Sequence, residues 1–204
     1  MTSGPIRDPV KDDLLTPKNS ALLIIDIQPI QVSSILSMDR KVLVDNIVRV
    51  AKTAKTYGLP VVLSTVNVKN GINKPMIEEL QDLFPGKEPL DRTTLNALED
   101  VEFAAAVKAT GRTKLIMIAL WTEVCLAFPA LDAIRQGYEV YPVVDAVGGT
   151  SVEAHRAGLE RIVQAGGKPV TWVQLICELQ RDWQRKETVP AFVDILFGSR
   201  GIKP

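Results

Sequence analysis

Histidine occurs once in the 204 residues, at position 155, and cysteine twice, at positions 125 and 177. Two thiols in a chain of this length do not make a disulfide scaffold. One histidine with two distant cysteines cannot supply a usual zinc site, so neither a metal nor any other cofactor is expected. Ser-His-Asp chemistry survives only with His155 as the base, and any other hydrolytic route needs a nucleophile activated by something else. Net charge is absent too: 24 Lys and Arg balance 24 Asp and Glu. No overall field draws the chain toward nucleic acid or anionic lipid, and a small-molecule partner fits better. No apolar run approaches the ~20 residues of a membrane helix. The opening MTSGPIRDPVKDDLLTPKNS lacks the apolar stretch of a signal peptide, so a cytoplasmic protein is expected.

Glycine-rich phosphate loops are also missing. The turn after the first apolar run reads Asp26-Ile27-Gln28-Pro29, and no full GxGxxG or Walker pattern exists. Gly148-Gly149-Thr150 reads as a tight connection, with an anion site at a helix start as the alternative.

What is present is ordinary globular usage, 46% hydrophobic and 24% charged. A chain of this size buries roughly 70% of its unfolded surface, enough for a core without staples. Ala21 to Ile27 (ALLIIDI) has the continuous apolar character of a strand buried on both faces. Similar runs recur at 60–66, 114–120, 139–145 and 169–173. Helical spacing lies between them: Leu43, Ile47, Val50, Ala54 and Tyr57 before Gly58; Val101, Ala105 and Val107; and Val124, Ala127, Leu131 and Ile134 before Gly137. It returns near 152–165 and 174–185. This alternation predicts a three-layer α/β/α doubly wound fold around a mostly parallel sheet, with ligands at the carboxyl ends of the strands. Residues 1–18 read as an arm, 19–187 as one domain, and 188–204 as a tail that docks on its own subunit or on a neighbour.

Asp26 closes the first run, where a carboxylate must be solvated or paired. Cys125 follows a strand in Leu120-Trp121-Thr122-Glu123-Val124-Cys125. With Thr122 as N-cap, its thiol lies in a first helical turn that favours a thiolate; the other reading is a buried cysteine serving as a small apolar residue. Cys177 falls in mid-helix and reads as core, and His155 as a surface or structural residue. Arg92 sits in a polar stretch, with a guanidinium suited to anchoring a carboxylate rather than shuttling protons.

Asp26 after ALLII, Arg92 in RTTLNAL and Cys125 in WTEVC together resemble the isochorismatase-like cysteine hydrolases, nearest to their YcaC-type bacterial group. That family has an Asp ending the first strand, a basic residue opening a K-x-x-x-S-A-F-like segment, and a Cys in a (T/S)-E-x-C turn. AFPALDAIRQGYEVYPVVDA and WVQLICELQRDW extend the likeness over about residues 20 to 185. The resemblance implies that Asp26 takes the Cys125 proton, Arg92 holds the pair, and the sulfur attacks a carbonyl carbon to give a thioester acyl-enzyme, or a nitrile carbon to give the corresponding thioimidate. It further implies a cis peptide at Leu120-Trp121, with the backbone N–H groups of Trp121 and Cys125 at the oxyanion. Trp121, Ile27, Gln28 and Phe128 are the expected lining residues.

The implied substrate is a small molecule with an amide-type C–N bond, and the implied assembly is a homo-oligomer such as an octamer. Arginine replaces the family's usual lysine, which preserves the electrostatic role and weakens proton transfer. The Asp-x-His-x-x-x-x-His-like metal site of zinc-dependent nicotinamidases cannot be built with His155 alone, and nothing identifies an isochorismate pocket. A different class of function stays open: a ring-forming assembly or binding protein with little turnover. A thiol redox role lacks a CxxC or a nearby resolving cysteine.

Overall fold

The computed structural model describes residues 7–198. Five strands form one parallel sheet: β1 (Ser20–Ile25), β2 (Val61–Val66), β3 (Leu90–Arg92), β4 (Lys114–Ala119) and β5 (Glu139–Pro142), in the order β3-β2-β1-β4-β5. Every residue of β1, β2 and β4 is buried. Their mostly apolar character follows, because helices cover both faces of a parallel sheet.

The helices are α1 (Pro29–Ser33), α2 (Arg40–Thr56), α3 (Glu78–Leu83), α4 (Val101–Ala109), α5 (Ala127–Arg135), α6 (Val152–Gln164), α7 (Trp172–Gln180) and α8 (Val189–Phe197). α2 packs with α3, α7 and α8, and α5 packs with α6, which completes the expected three-layer α/β/α architecture. Local chemistry sets the helix ends. Asp39 caps α2 by accepting from Val42 N at 2.9 Å, and Gly58, at φ 64°, takes the left-handed turn after it. Among the described residues no helix is long and apolar enough to cross a membrane.

Four of the five apolar runs are sheet strands; the fifth is not. Residues 169–173 contribute only the Val143–Val170 bridge, because Pro169 has no N–H and Thr171 already caps α7 by accepting from Gln174 N at 3.2 Å. The remaining strand is β3, whose Asp91 and Arg92 hid it within polar sequence. Helix α7 also ends earlier than its apolar spacing implied, at Arg181, which adopts φ 62°.

Both chain ends pack on the domain as far as they are described. Leu15 is fully buried, its N–H donates to Glu178 Oε2 at 2.7 Å, and Lys114 Nζ donates to the Asp12 and Asp13 carbonyls at 2.6 Å each. Asp12 pairs with Arg181 at 3.1 Å. In the tail, α8 buries Phe192, Ile195 and Leu196, and Trp183 meets Phe192 edge-on at 5.0 Å. Helix α8 thus packs against α2 and α7 of the same chain. Residues 1–6 of the arm and 199–204 of the tail lie outside the described residues.

Candidate active site

The chain builds β1, β2 and β3 outward in one direction and then crosses back to place β4 on the other side of β1. The β1/β4 boundary is thus the switch point at which the following loops part and leave a crevice. Asp26 leaves β1 there, and Cys125 follows β4.

Asp26 has φ 57°, a left-handed conformation that turns its side chain out of the strand line; Asp tolerates it better than most residues. Its N–H donates to Ser64 O at 3.0 Å. The carboxylate is fully buried, and Arg92 Nη2 donates to its Oδ2 at 2.6 Å. The other guanidinium terminus, Nη1, donates to the Thr94 carbonyl. β3 explains how both polar residues are accommodated. Alternate side chains face opposite ways, so Arg92 reaches Asp26 while Asp91 accepts from Val68 N at 3.0 Å, Lys69 N at 2.8 Å and Thr65 Oγ1 at 2.9 Å.

Asp26 Oδ1 has no nitrogen or hydroxyl partner, and this carboxylate interacts with the Cys125 thiol. Burial pushes the Asp26 carboxyl up from its usual value, against the downward pull of Arg92. Burial, and then the Asp26 charge, push the Cys125 thiol up to about 12. Of the two readings open for Cys125, burial therefore favours the protonated thiol over the thiolate. Desolvation and the carboxylate outweigh the backbone dipoles.

The turn carrying Cys125 also differs from expectation. Thr122–Leu126 is π-helical, with Leu126 N donating to Trp121 O at 3.1 Å, and α5 starts only after it. Trp121, not Thr122, holds the cap position, and Thr122 Oγ1 bonds the His155 ring instead. The buried side of α5 is correspondingly Ala127, Pro129, Ala130 and Ala133, rotated from the apolar stripe read in the sequence. The Leu120-Trp121 peptide is cis, and the Trp121 N–H is directed at the Cys125 sulfur.

The surrounding residues sort by what they touch. Trp121 Nε1 donates to Ser34 Oγ at 2.7 Å, which fixes the indole, while Phe128 is half-buried against the core. Ile27 is fully buried. Gln28 is buried as well, and its amide is engaged on both sides. Nε2 donates to Val66 O at 3.2 Å and Lys74 O at 2.6 Å, and Oε1 accepts from Val66 N at 3.0 Å. Gln28 therefore braces the loop after β2. Cys177, expected in the core, is exposed: α7 buries Trp172, Leu175, Ile176 and Leu179, and position 177 falls on the opposite side. His155 is structural, its Nδ1 sharing a hydrogen bond of 2.9 Å with Thr122 Oγ1. Gly148 and Gly149 form a close-packed connection, where a β-carbon on Gly148 would lie 2.9 Å from Ile35 Cγ2.

Sequence reading missed two contributors, Thr94 and Ser34. Thr94 acts through its carbonyl, which every residue has, and Ser34 pairs across 87 positions, so neither leaves a local pattern.

The fold and motifs have close counterparts among known proteins. YcaC of Escherichia coli, described as a probable hydrolase, is 36% identical over 171 residues, covering 83% of this chain and 82% of its own. YcaC from Pseudomonas aeruginosa superposes with a TM-score of 0.82 at 31% identity, covering 93% of this chain and 98% of that one. The nicotinamidase PncA of Bacillus subtilis, at 17% identity and a TM-score of 0.64 over 74% of this chain and 99% of its own, shares the fold. The isochorismatase domain matches residues 20–174, and with this match and the YcaC likeness the chain belongs to the isochorismatase family of hydrolases.

Proposed function

We propose that this protein is a cysteine hydrolase that cleaves a small amide-type C–N bond through a thioester acyl-enzyme. The observation that carries the reading is the buried pairing of Cys125 with a carboxylate whose other oxygen is held by Arg92 at 2.6 Å, at the carboxyl ends of β1 and β4. Asp26 accepts the thiol proton as sulfur attacks the carbonyl carbon, so that the neutral thiol gives up its proton only as the C–S bond forms. Arg92 keeps the carboxylate in place and takes no proton. Charge developing on the carbonyl oxygen is met by the backbone N–H groups of Trp121 and Cys125, each such donor being worth about 3 kcal/mol. Protonated Asp26 then passes its proton to the departing amine. Once free again, it takes one from the water that attacks the thioester, which releases the acid and restores the thiol.

Incubation with a panel of small amides, read by intact-protein mass spectrometry, tests the proposal. An acyl adduct on Cys125 that forms and decays with turnover is expected, and Cys125→Ala should abolish both adduct and product. Turnover unchanged in that variant would refute the mechanism. The P. aeruginosa YcaC structure contains covalent acrylamide; because thiols add to acrylamide as a stable thioether with the amide intact, it probes Cys125 reactivity and not turnover.

A homo-oligomer, with YcaC's octamer as the precedent, accompanies this reading. The same precedent favours the second reading, an assembly protein with little turnover. Light scattering tests assembly, and the amide panel separates the two functions. We further propose a cytoplasmic location.

A further inference from the structure

The turn that carries Cys125 is tied to α6 and to the loop leading into it by the two side chains that open it. Glu123 Oε1 accepts from Thr150 N at 3.0 Å and from Thr150 Oγ1 at 2.6 Å, while Thr122 Oγ1 and His155 Nδ1 lie 2.9 Å apart. Backbone holds the same junction, with Thr122 N donating to Gly148 O at 2.8 Å. The approach is close enough to require glycine twice. A β-carbon on Gly158 would sit 2.9 Å from Glu123 Cα, and one on Gly149 would sit 2.7 Å from Glu123 Oε2 and 2.8 Å from His155 N. Glu123 Oε2 is buried without a hydrogen-bond partner, so the carboxylate bears the cost of burial in order to reach Thr150.

This investment is made at a π-helical turn, a wider and less self-supporting winding than an α-turn, which neighbours must hold in shape. Cys125 lies within that turn and Trp121 caps it, so its shape bears on both backbone N–H groups. Burial lowers the His155 pKa, opposed by the Glu123 charge, so the ring stays neutral and its Nδ1 can accept from the Thr122 hydroxyl.

We propose that Glu123 and His155 are positioning residues that lock the Cys125 turn onto α6 and so aim the backbone N–H groups of Trp121 and Cys125 at the oxyanion. The inference rests on the oxyanion role given to those groups above. Neither side chain touches substrate. The lock matters for acyl transfer, in which negative charge grows on a carbonyl oxygen, and not for alkylation, in which no such oxygen forms.

Two reagents separate these cases on the full-length protein: acylation of Cys125 by p-nitrophenyl acetate and alkylation by iodoacetamide. Both are followed by peptide mass spectrometry, with exposed Cys177 as the internal reference. Glu123→Ala and His155→Ala should each slow acylation at least about tenfold while changing alkylation by less than about twofold. Glu123→Gln should restore acylation, because its amide oxygen still accepts from Thr150. If Glu123→Ala does not fold, Thr150→Val removes the hydroxyl at the other end of the contact and should show the same imbalance. Equal slowing with both reagents, or slowing with neither, overturns the lock and leaves the hydrolase reading standing. Wild-type Cys125 acylating no faster than Cys177 overturns both, since nothing would then be aimed.

Discussion

Asp26 and Arg92 form a fully buried ion pair, and the two members fail in different ways when separated. Arg92→Ala leaves a carboxylate without its cation in the core, which should cost about 3 kcal/mol or more in urea unfolding. Arg92→Lys should lose less, because an ammonium still meets Asp26, although the guanidinium fork that also spans to the Thr94 carbonyl is gone. In the proposed mechanism acyl transfer needs Asp26 ionised, and burial raises its pKa. The acylation rate should therefore climb with pH through a midpoint above the ordinary carboxylate value of about 4, and fall as acid protonates the base. In Asp26→Asn that inflection should vanish, with the rate at neutral pH down by about a hundredfold or more. A stopped-flow pH profile of p-nitrophenyl acetate acylation measures both, and an inflection that persists in the variant would assign the proton acceptor elsewhere.

At the scale of elements, β4, the π-helical turn and α6 act as one unit. Gly158 lies inside α6, where alanine is favoured over glycine by about 1 kcal/mol on helix propensity alone. The added β-carbon, however, would meet the Glu123 backbone at 2.9 and 3.1 Å, and backbone cannot step aside as a side-chain tip can. Overpacking of about 1 to 3 kcal/mol should win. Gly158→Ala is thus expected to lower the melting temperature, and a more stable variant would mean that this junction has slack.

The same elements show what a sequence discloses. β1, β2 and β4 were legible because burial on both faces favours mostly apolar runs, broken only by Ser20, Ser64, Thr65 and Lys114. β3 was not, because a three-residue strand whose Asp91 and Arg92 make specific polar contacts leaves no hydrophobic period. The winding of Thr122–Leu126 was equally hidden: it depends on contacts with Gly148, Thr150 and His155 that the sequence does not place side by side. Motif likeness singled out Asp26, Arg92 and Cys125, which the fold brings together, whereas the upward push on the Cys125 thiol comes from burial that only the folded chain supplies.

At the scale of the whole molecule, the sheet has two edges with different work. The carboxyl edge carries Asp26, Arg92 and Cys125, and the amino edge is sealed by the segment around Asp12 to Leu15. The Asp12 carboxyl is held below its usual range by the Leu14 N–H and by Arg181. A depressed folded pKa means that its stabilising contribution is complete above the ordinary carboxylate value near ~4 and is lost as pH falls through the lower folded value. Hydrogen exchange of residues 8–18 should therefore accelerate in acid before that of β1 and β4, and simultaneous loss of protection would show that this seal is no weaker than the sheet.

Lys114 shares in that seal and opens β4, while Cys125 follows the other end of the same six-residue strand. Six strand residues span about 20 Å, so the two are set apart by nearly the depth of the sheet. A protein tethered to a sensor surface through the Asp12 edge would present its cysteine crevice outward, and its acylation kinetics on the chip should match those in free solution. Anchoring through the loop after β3 would turn the same crevice toward the support and starve it of reagent.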